Sequence, residues 1–332
     1  MLELEQDYEP KSNGGIPEQK RPESQAAAGH SRTRYEEIWL LGQPPLSRYL
    51  EFVTDDVVDG GSADRAALTG EWSAANDYYQ ELERSEAGLA NQVEHAGLDP
   101  SLDALAAQVR AHSRYRRGFD VLPTTISMVE LDRLIVYQKH VSRNFIDILK
   151  TRIGPSPDTA ALFRFCLPLE APDVPVQIRR VGSRRYVFRC ESTDFRFHEP
   201  TLLRADQTNG YESFGAIAGI VGLVVGFGSN LLNVIRVGNR LLLNNGYHRA
   251  CALRALGITH VPCIVQTATR ADELGVAVKR DVAERAEFYF ESARPPLLKD
   301  FFDSRIRKVL PVHKSVRQIE VNFEVKDFLV TE

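Results

Sequence analysis

The sequence predicts an α+β fold: a mixed sheet domain preceded by a helical extension and followed by a helix and a strand. In the first third, Trp72, Ala75, Tyr79, Leu82, Leu89 and Val93 recur three, four and seven residues apart, the spacing of a helix face. From Ile126 onward the period shortens and glycine-centred hairpins take over. Near the C-terminus, Ile319, Val321, Phe323 and Val325 alternate with Gln318, Glu320, Asn322 and Glu324, so one face of a strand is buried and one is solvated.

The elements follow in order. Residues 1–34, rich in Gly, Pro, Gln, Ser and charge, are expected as a disordered tail. Residues 35–120 are expected as a helical N-terminal region. It opens with an apolar docking segment, Ile38 to Leu41, followed by a short helix. A helix over 69–96 stops at Gly97, and a second begins at Asp99-Pro100, a cap followed by proline in the first turn. Residues 121–268 form the sheet domain, with an insertion at 155–215. Ile126 to Val136 opens it as a strand running into a turn. Gln177–Val181 and Arg185–Cys190 pair across Gly182-Ser183, and Leu223–Val225 is a short buried strand. Leu231–Val237 and Arg240–Leu243 pair across Gly238-Asn239. A helix from Tyr247 to Leu256 ends at Gly257, and a strand runs from His260 to Gln266. Residues 269–332 give one long helix over 269–291, capped by Thr269 with Asp272 three positions on, then a basic stretch and the last strand.

Composition narrows the function classes. The 332 residues carry a net charge of −4, with 43% hydrophobic and 26% charged residues, as in ordinary globular proteins. Four Cys are too sparse for a disulfide framework, so reduced thiols in a cytoplasm are expected. The acidic N-terminus lacks the basic start and apolar core of a secretory signal. The glycine-rich apolar stretch Phe214 to Gly228 has 15 residues and five Gly, too short and too glycine-rich for a membrane span. It reads as buried core. Residues 1–100 hold 20 acids and 8 bases, whereas 101–332 hold 25 acids and 33 bases. A basic body points to an anionic partner, and the acidic front reads as a separate arm for a protein partner or a mask for the basic body.

The most informative segment is residues 231–266. A hairpin leads into Asn244-Asn245-Gly246, a helix starts with Tyr247-His248-Arg249, and Val261-Pro262 opens a strand. Gly246 lets a ligand approach the backbone. The N–H groups of a helix's first turn carry partial positive charge. Arg249 can grip a phosphate with two parallel hydrogen bonds, and His248 adds a donor. This is a phosphate site at the mouth of a helix, shaped by Asn245 and Tyr247. Gly226, Gly228, Ser229 and Asn230 form a second glycine-rich loop able to wall the site.

The same segment resembles the ParB/sulfiredoxin-like superfamily, where a hairpin leads to a G-x-x-R turn, a helix ending in Gly and a Val-Pro strand. The resemblance extends back to Val129–Val136, which looks like the opening strand of that fold, and to Gln138 after it. It implies a ParB/sulfiredoxin-like mixed sheet that binds a nucleotide, CTP or ATP, with Mg²⁺ as an accompanying ion. The role it implies is regulatory or DNA-associated, and the alternative is a phosphotransferase, kinase or nuclease. Two departures matter. Tyr247 stands where sulfiredoxin has its nucleophilic Cys, so sulfinic acid reduction is not expected. Asn245 stands where the kinases have Asp, so a kinase needs another carboxylate: Glu130 or Asp132 on the opening strand, or Asp194 or Glu199 on the insertion. Glu130 and Asp194 are the candidate bases.

Other constellations weigh less. His248, Cys251, His260 and Cys263 have a zinc-like spacing, but the two Cys lie among apolar neighbours and no metal site is expected. Arg184, Arg185, Arg189, Arg196 and Arg204 interleave with Tyr186, Phe188, Phe195 and Phe197. That pattern fits an amphipathic hairpin with its aromatic face in the core, or single-stranded nucleic acid binding. Residues 194–199 read as a lid over the nucleotide. No P-loop and no G-x-S-x-G occur, which excludes P-loop NTPases and the commonest serine hydrolase fold.

Overall fold

A computed structural model describes residues 35–331 apart from 44, 171–173, 193 and 208–214. The tail expected at 1–34 lies outside the described residues. The chain is α+β. Its strands are β1 (Tyr35–Leu40), β2 (His95–Gly97), β3 (Thr124–Glu130), β4 (His140–Ser142), β5 (Val176–Arg180), β6 (Arg185–Cys190), β7 (Phe195–Leu203), β8 (Ile220–Phe227), β9 (Asn233–Val237), β10 (Arg240–Asn245), β11 (His260–Thr267), β12 (Arg307–Val312) and β13 (Arg317–Asn322). Its α-helices are α1 (Leu46–Asp56), α2 (Arg65–Ser85), α3 (Asp103–Ala111), α4 (Ser113–Gly118), α5 (Arg143–Ile153), α6 (Thr159–Cys166), α7 (Tyr247–Ala255), α8 (Ala271–Ala277), α9 (Arg280–Ala283) and α10 (Ala286–Phe290).

The chain divides into two compact units. The larger comprises Arg34–Ala171 and Ser229–Lys314. Its main sheet has the order β10-β9-β11-β3-β2, with β9 and β11 parallel and the other pairs antiparallel. Alternation along β10 divides the core. Leu241 and Leu243 pack with Ala250 and Leu253 of α7. Leu242 packs with Leu274, Val282 and Tyr289 of the segment carrying α8, α9 and α10. A second antiparallel sheet, β12-β1-β4, packs Trp39 and Leu41 against Tyr49 and Val53 of α1 and Ala75 and Leu82 of α2.

The smaller unit draws its described residues from Pro172–Gly228 and Ser315–Glu332. It holds the sheet β13-β6-β5 and the ribbon β7-β8. In the register of β6 with β13, Phe188 faces Ile319 and Tyr186 faces Val321, while Arg189 faces Gln318 and Arg185 faces Asn322. Along β6 the arginines and aromatics therefore occupy opposite faces, but on β7 only Phe195 is buried and Phe197, expected in the core, is 41% exposed.

Several expectations are corrected. The 35–120 region is not purely helical. Its docking segment is β1, the central strand of a sheet, because both edges are taken by β12 and β4. The helix expected to reach residue 96 ends at Ser85, and His95–Gly97 pairs with β3 instead. The insertion begins later than 155, since α6 places Phe163 and Cys166 in the larger unit's core. The stretch 223–225 is part of the longer β8, where Val221 and Val224 are exposed rather than buried. The long helix over 269–291 is three short ones, and Arg270, not Thr269, is the N-cap of the first. The last strand ends at Asn322, leaving Phe323 and Val325 exposed.

In its described residues, 35–100, the acidic front is ion-paired into the larger unit. Glu86 pairs with Arg294 at 3.0 Å and Lys299 at 2.6 Å, and Glu71 pairs with Lys308. These pairs lie within the larger unit. Among them Arg294, fully buried, makes two 2.6 Å hydrogen bonds to Asp300, which is 2% exposed. Burial pushes the Asp300 carboxyl up, and Arg294 opposes that rise. Removing one partner strands the other as an uncompensated buried charge. Arg294→Ala is expected to cost about 3–5 kcal/mol in urea unfolding. The double change Arg294→Met with Asp300→Leu is expected to cost much less, and equal losses in both variants would refute the pairing.

Candidate functional site

The site is built at the junction of β10, α7 and the segment after β3. Gly246 has φ +98°, and a Cβ there would lie 3.0 Å from the Leu232 side chain. Only glycine suits that left-handed, crowded position. Helix α7 starts there with no side-chain cap and no acid in its first turn. The helices α2, α5 and α6 are capped by Asp64, Ser142 and Asp158, whereas α1 and α3 share with α7 the lack of a side-chain cap. The first turn of α7 carries His248 and Arg249 instead.

Tyr247 is 4% exposed, and its hydroxyl is fully engaged. It donates to the Leu243 carbonyl at 2.7 Å and accepts from the Tyr137 N–H at 3.0 Å, with the Gln138 N–H at 3.5 Å. Burial raises the phenol well above its ordinary value. His248 accepts from the Ser142 N–H through Nε2 at 3.0 Å. Burial, then the neighbouring His140 and Arg249, push His248 down to about 4. A neutral imidazole is the form this hydrogen bond needs, because only an unprotonated nitrogen accepts. Arg249 is 9% exposed and donates to the Asn230 carbonyl. Asn230 is itself left-handed, with φ +54°. Asn245 donates to the Leu231 carbonyl at 3.3 Å.

The structure therefore brings together Asn230, Asn245, Gly246, Tyr247, His248 and Arg249, with Ser229 beside Asn230 in the same unit. Gly226 and Gly228 belong to the smaller unit, as does Asp194, whose carboxylate pairs with Arg196. Gly228 sits against that pair, with a Cβ position 2.7 Å from Arg196 and 2.9 Å from Asp194. Glu130 is not brought to the turn. Its carboxylate takes the Glu94 N–H at 3.0 Å and Arg133 at 3.1 Å. It lies opposite His260, the residue that opens β11 after α7 has ended. Asp132 pairs with Arg254 at 2.9 Å, in the last turn of α7. The two ends of this nine-residue helix lie about 12 Å apart.

The zinc-like quartet is dispersed over other roles. Cys251 and Cys263 are buried free thiols, His248 holds Ser142, and His260 lies 3.4 Å from Glu94. Burial pushes Cys251 up to about 12, so it supplies no thiolate at neutral pH. Among the described residues no group of three or more His, Cys, Asp or Glu is placed to hold a metal. No helix among them is long and apolar enough to cross a membrane.

Comparison with protein-family models, curated proteins and solved structures finds no match.

Sequence reasoning missed the opposite side of the junction. Tyr137, Ser142 and Asn233 hold the turn through backbone N–H or side-chain groups that no motif marks. Only Gln138 was visible, through its place after the opening strand.

Two outcomes follow. Gly246→Ala forces a left-handed alanine against Leu232 and is expected to lower stability by about 1–3 kcal/mol, measured by thermal unfolding. His248 protonates near its ordinary 6.5 when unfolded but near 4 when folded. Its contribution is therefore complete above pH 6.5 and is lost as pH falls through about 4. That loss is about 3 kcal/mol. Urea midpoints at pH 7 and 4.5 are expected to diverge less in His248→Gln than in the wild type, and an unchanged divergence would exclude His248 as the group.

Proposed function

We propose that this chain is a ParB/sulfiredoxin-like nucleotide-binding protein, holding a phosphate of CTP or ATP at the first turn of α7. One observation carries the reading: α7 begins at an obligatory glycine with neither a capping side chain nor an acid, and with His248 and Arg249 in the first turn. Uncapped N–H groups beside a cation are costly for the bare helix and suited to an anion. Asn230 and Asn245 border the same turn and supply polar groups for the rest of the ligand. Mg²⁺ would accompany the triphosphate.

A binding role is favoured over phosphoryl transfer. Transfer needs a carboxylate beside the phosphate. Glu130 is taken up by Arg133 and the Glu94 N–H, and Asp194 by Arg196. A DNA-associated role gains less support from the basic stretch than its composition suggests. Lys299 and Lys308 are ion-paired, and Arg307 donates to the Phe301 carbonyl at 3.0 Å.

Calorimetry of the purified chain with CTP and with ATP, each with Mg²⁺, tests the reading. Binding by the wild type and a loss of at least tenfold in Arg249→Ala are expected, about 1.4 kcal/mol or more. No heat with any nucleotide would sink it.

A further inference from the structure

At the end of α7 remote from Gly246, the larger unit has an open cleft of about 380 Å³. Small-molecule sites span roughly 300–1,000 Å³. Glu86, Arg254, Lys299, Phe302 and Asp303 line the cleft, with the buried Arg294–Asp300 pair in its wall. Asp132 ties the two outer cations together. Its carboxylate takes the Arg254 guanidinium at 2.9 Å, and its carbonyl takes the Lys299 N–H at 3.4 Å. Lys299 and Phe302 stand three residues apart in the 3-10 helix Leu298–Phe302, where side chains at that spacing eclipse. Arg254 lies over the Phe302 ring at 4.1 Å, so both cations face the same side of that helix.

These groups keep bonding capacity in reserve. Among the described residues Arg254 spends Nε and Nη2 on Asp132, which leaves Nη1. Lys299 Nζ gives one hydrogen bond, to Glu86 at 2.6 Å, and an ammonium has more to give. Asp303 accepts from the Tyr78 hydroxyl and the Arg305 N–H, both at 2.9 Å, and the Arg305 side chain stands 3.5 Å away. A carboxylate has about four acceptor positions, so capacity remains. The side chains of Arg254, Lys299 and Asp303 are 33%, 26% and 29% exposed, so a ligand can reach them. Charge in and around the cleft is balanced: Arg254 against Asp132, Arg294 and Lys299 against Glu86 and Asp300, and Asp303 against Arg305.

We propose that this cleft binds a small zwitterion, a free α-amino acid, with its carboxylate on Arg254 and Lys299 and its ammonium on Asp303. A phosphate would bring net negative charge beside Glu86, Asp300 and Asp303, with no cation left over to neutralise it. A zwitterion adds no net charge and meets an opposite charge at each end. Charge-assisted hydrogen bonds of that kind are roughly twice as strong as neutral ones. Leu82 and Phe302 supply apolar lining for the ligand's side chain. The cleft is independent of the nucleotide reading, because it uses the other end of α7.

Calorimetry of the full chain with each proteinogenic L-amino acid, and with the methyl ester and N-acetyl form of the tightest, tests the cleft. At least one free amino acid is expected to bind, and each blocked form at least tenfold more weakly. Lys299→Gln should weaken the free amino acid at least tenfold and leave the methyl ester, which has no carboxylate to lose, unchanged. Asp303→Asn should weaken the free amino acid likewise and leave the N-acetyl form unchanged. That crossed pattern is one that damage to the fold does not produce. Loss of all three forms in both variants would assign the two side chains to the fold and overturn the proposed seats. A wild type that binds no free amino acid, or binds the blocked forms equally well, would overturn the proposal. So would orthophosphate binding that depends on Lys299 where no amino acid binds, since the cleft would then be a plain anion site.

Discussion

The Tyr247 phenol gives its proton to the Leu243 carbonyl and receives the N–H of Tyr137, all within 3.0 Å and out of water. Those backbone groups lie where regular pairing stops: β10 has a register shift between Leu243 and Asn245, and β3 has already ended at Glu130. Unpaired, each would cost about 1–3 kcal/mol inside the protein. One hydroxyl therefore fixes the end of β10, the start of α7 and the segment leading to β4. The placement of Gly246 and His248 follows from that junction.

The hairpin, helix and strand over 231–266 were legible because local chemistry specifies them. Gly238 and Gly257 adopt positive φ at the turn and the helix end, and Gly246 does so at the helix start. The breaks in 269–291 were not legible, because no Pro marks them. The Ala277 carbonyl is taken by the Asn244 side chain rather than by a following helical N–H, and that partner is 33 residues away. The strand His95–Gly97 was hidden likewise, since its partners Ser127–Val129 lie some thirty residues downstream. In the candidate site, the turn was visible as a motif while the groups facing it were not. His248 reads as a ligand donor in sequence, yet its Nε2 is an acceptor for Ser142.

The charge asymmetry also changes meaning. In sequence, an acidic front and a basic body look like two surfaces for two partners. In the fold, Glu86, Arg294, Lys299 and Asp300 form one continuous set beneath the C-terminal end of α2, and Tyr79 donates to the Arg294 carbonyl at 2.7 Å. The paired charges stitch the front helix to the C-terminal segment.

The strand β1 pairs Tyr35 with Val312 on one edge and Trp39 with His140 on the other. The first strand of the described chain is thus the middle of a sheet whose last partner is nearly three hundred residues later. On a ribosome it leaves the exit tunnel long before that partner exists. Ile38, Trp39 and Leu40 must then wait as an apolar strand with an open edge, a condition that invites mispairing. So dispersed a contact pattern also slows closure, because the chain's loop entropy is spent before the sheet returns any of it. This sheet cannot close before the chain has been made through β12.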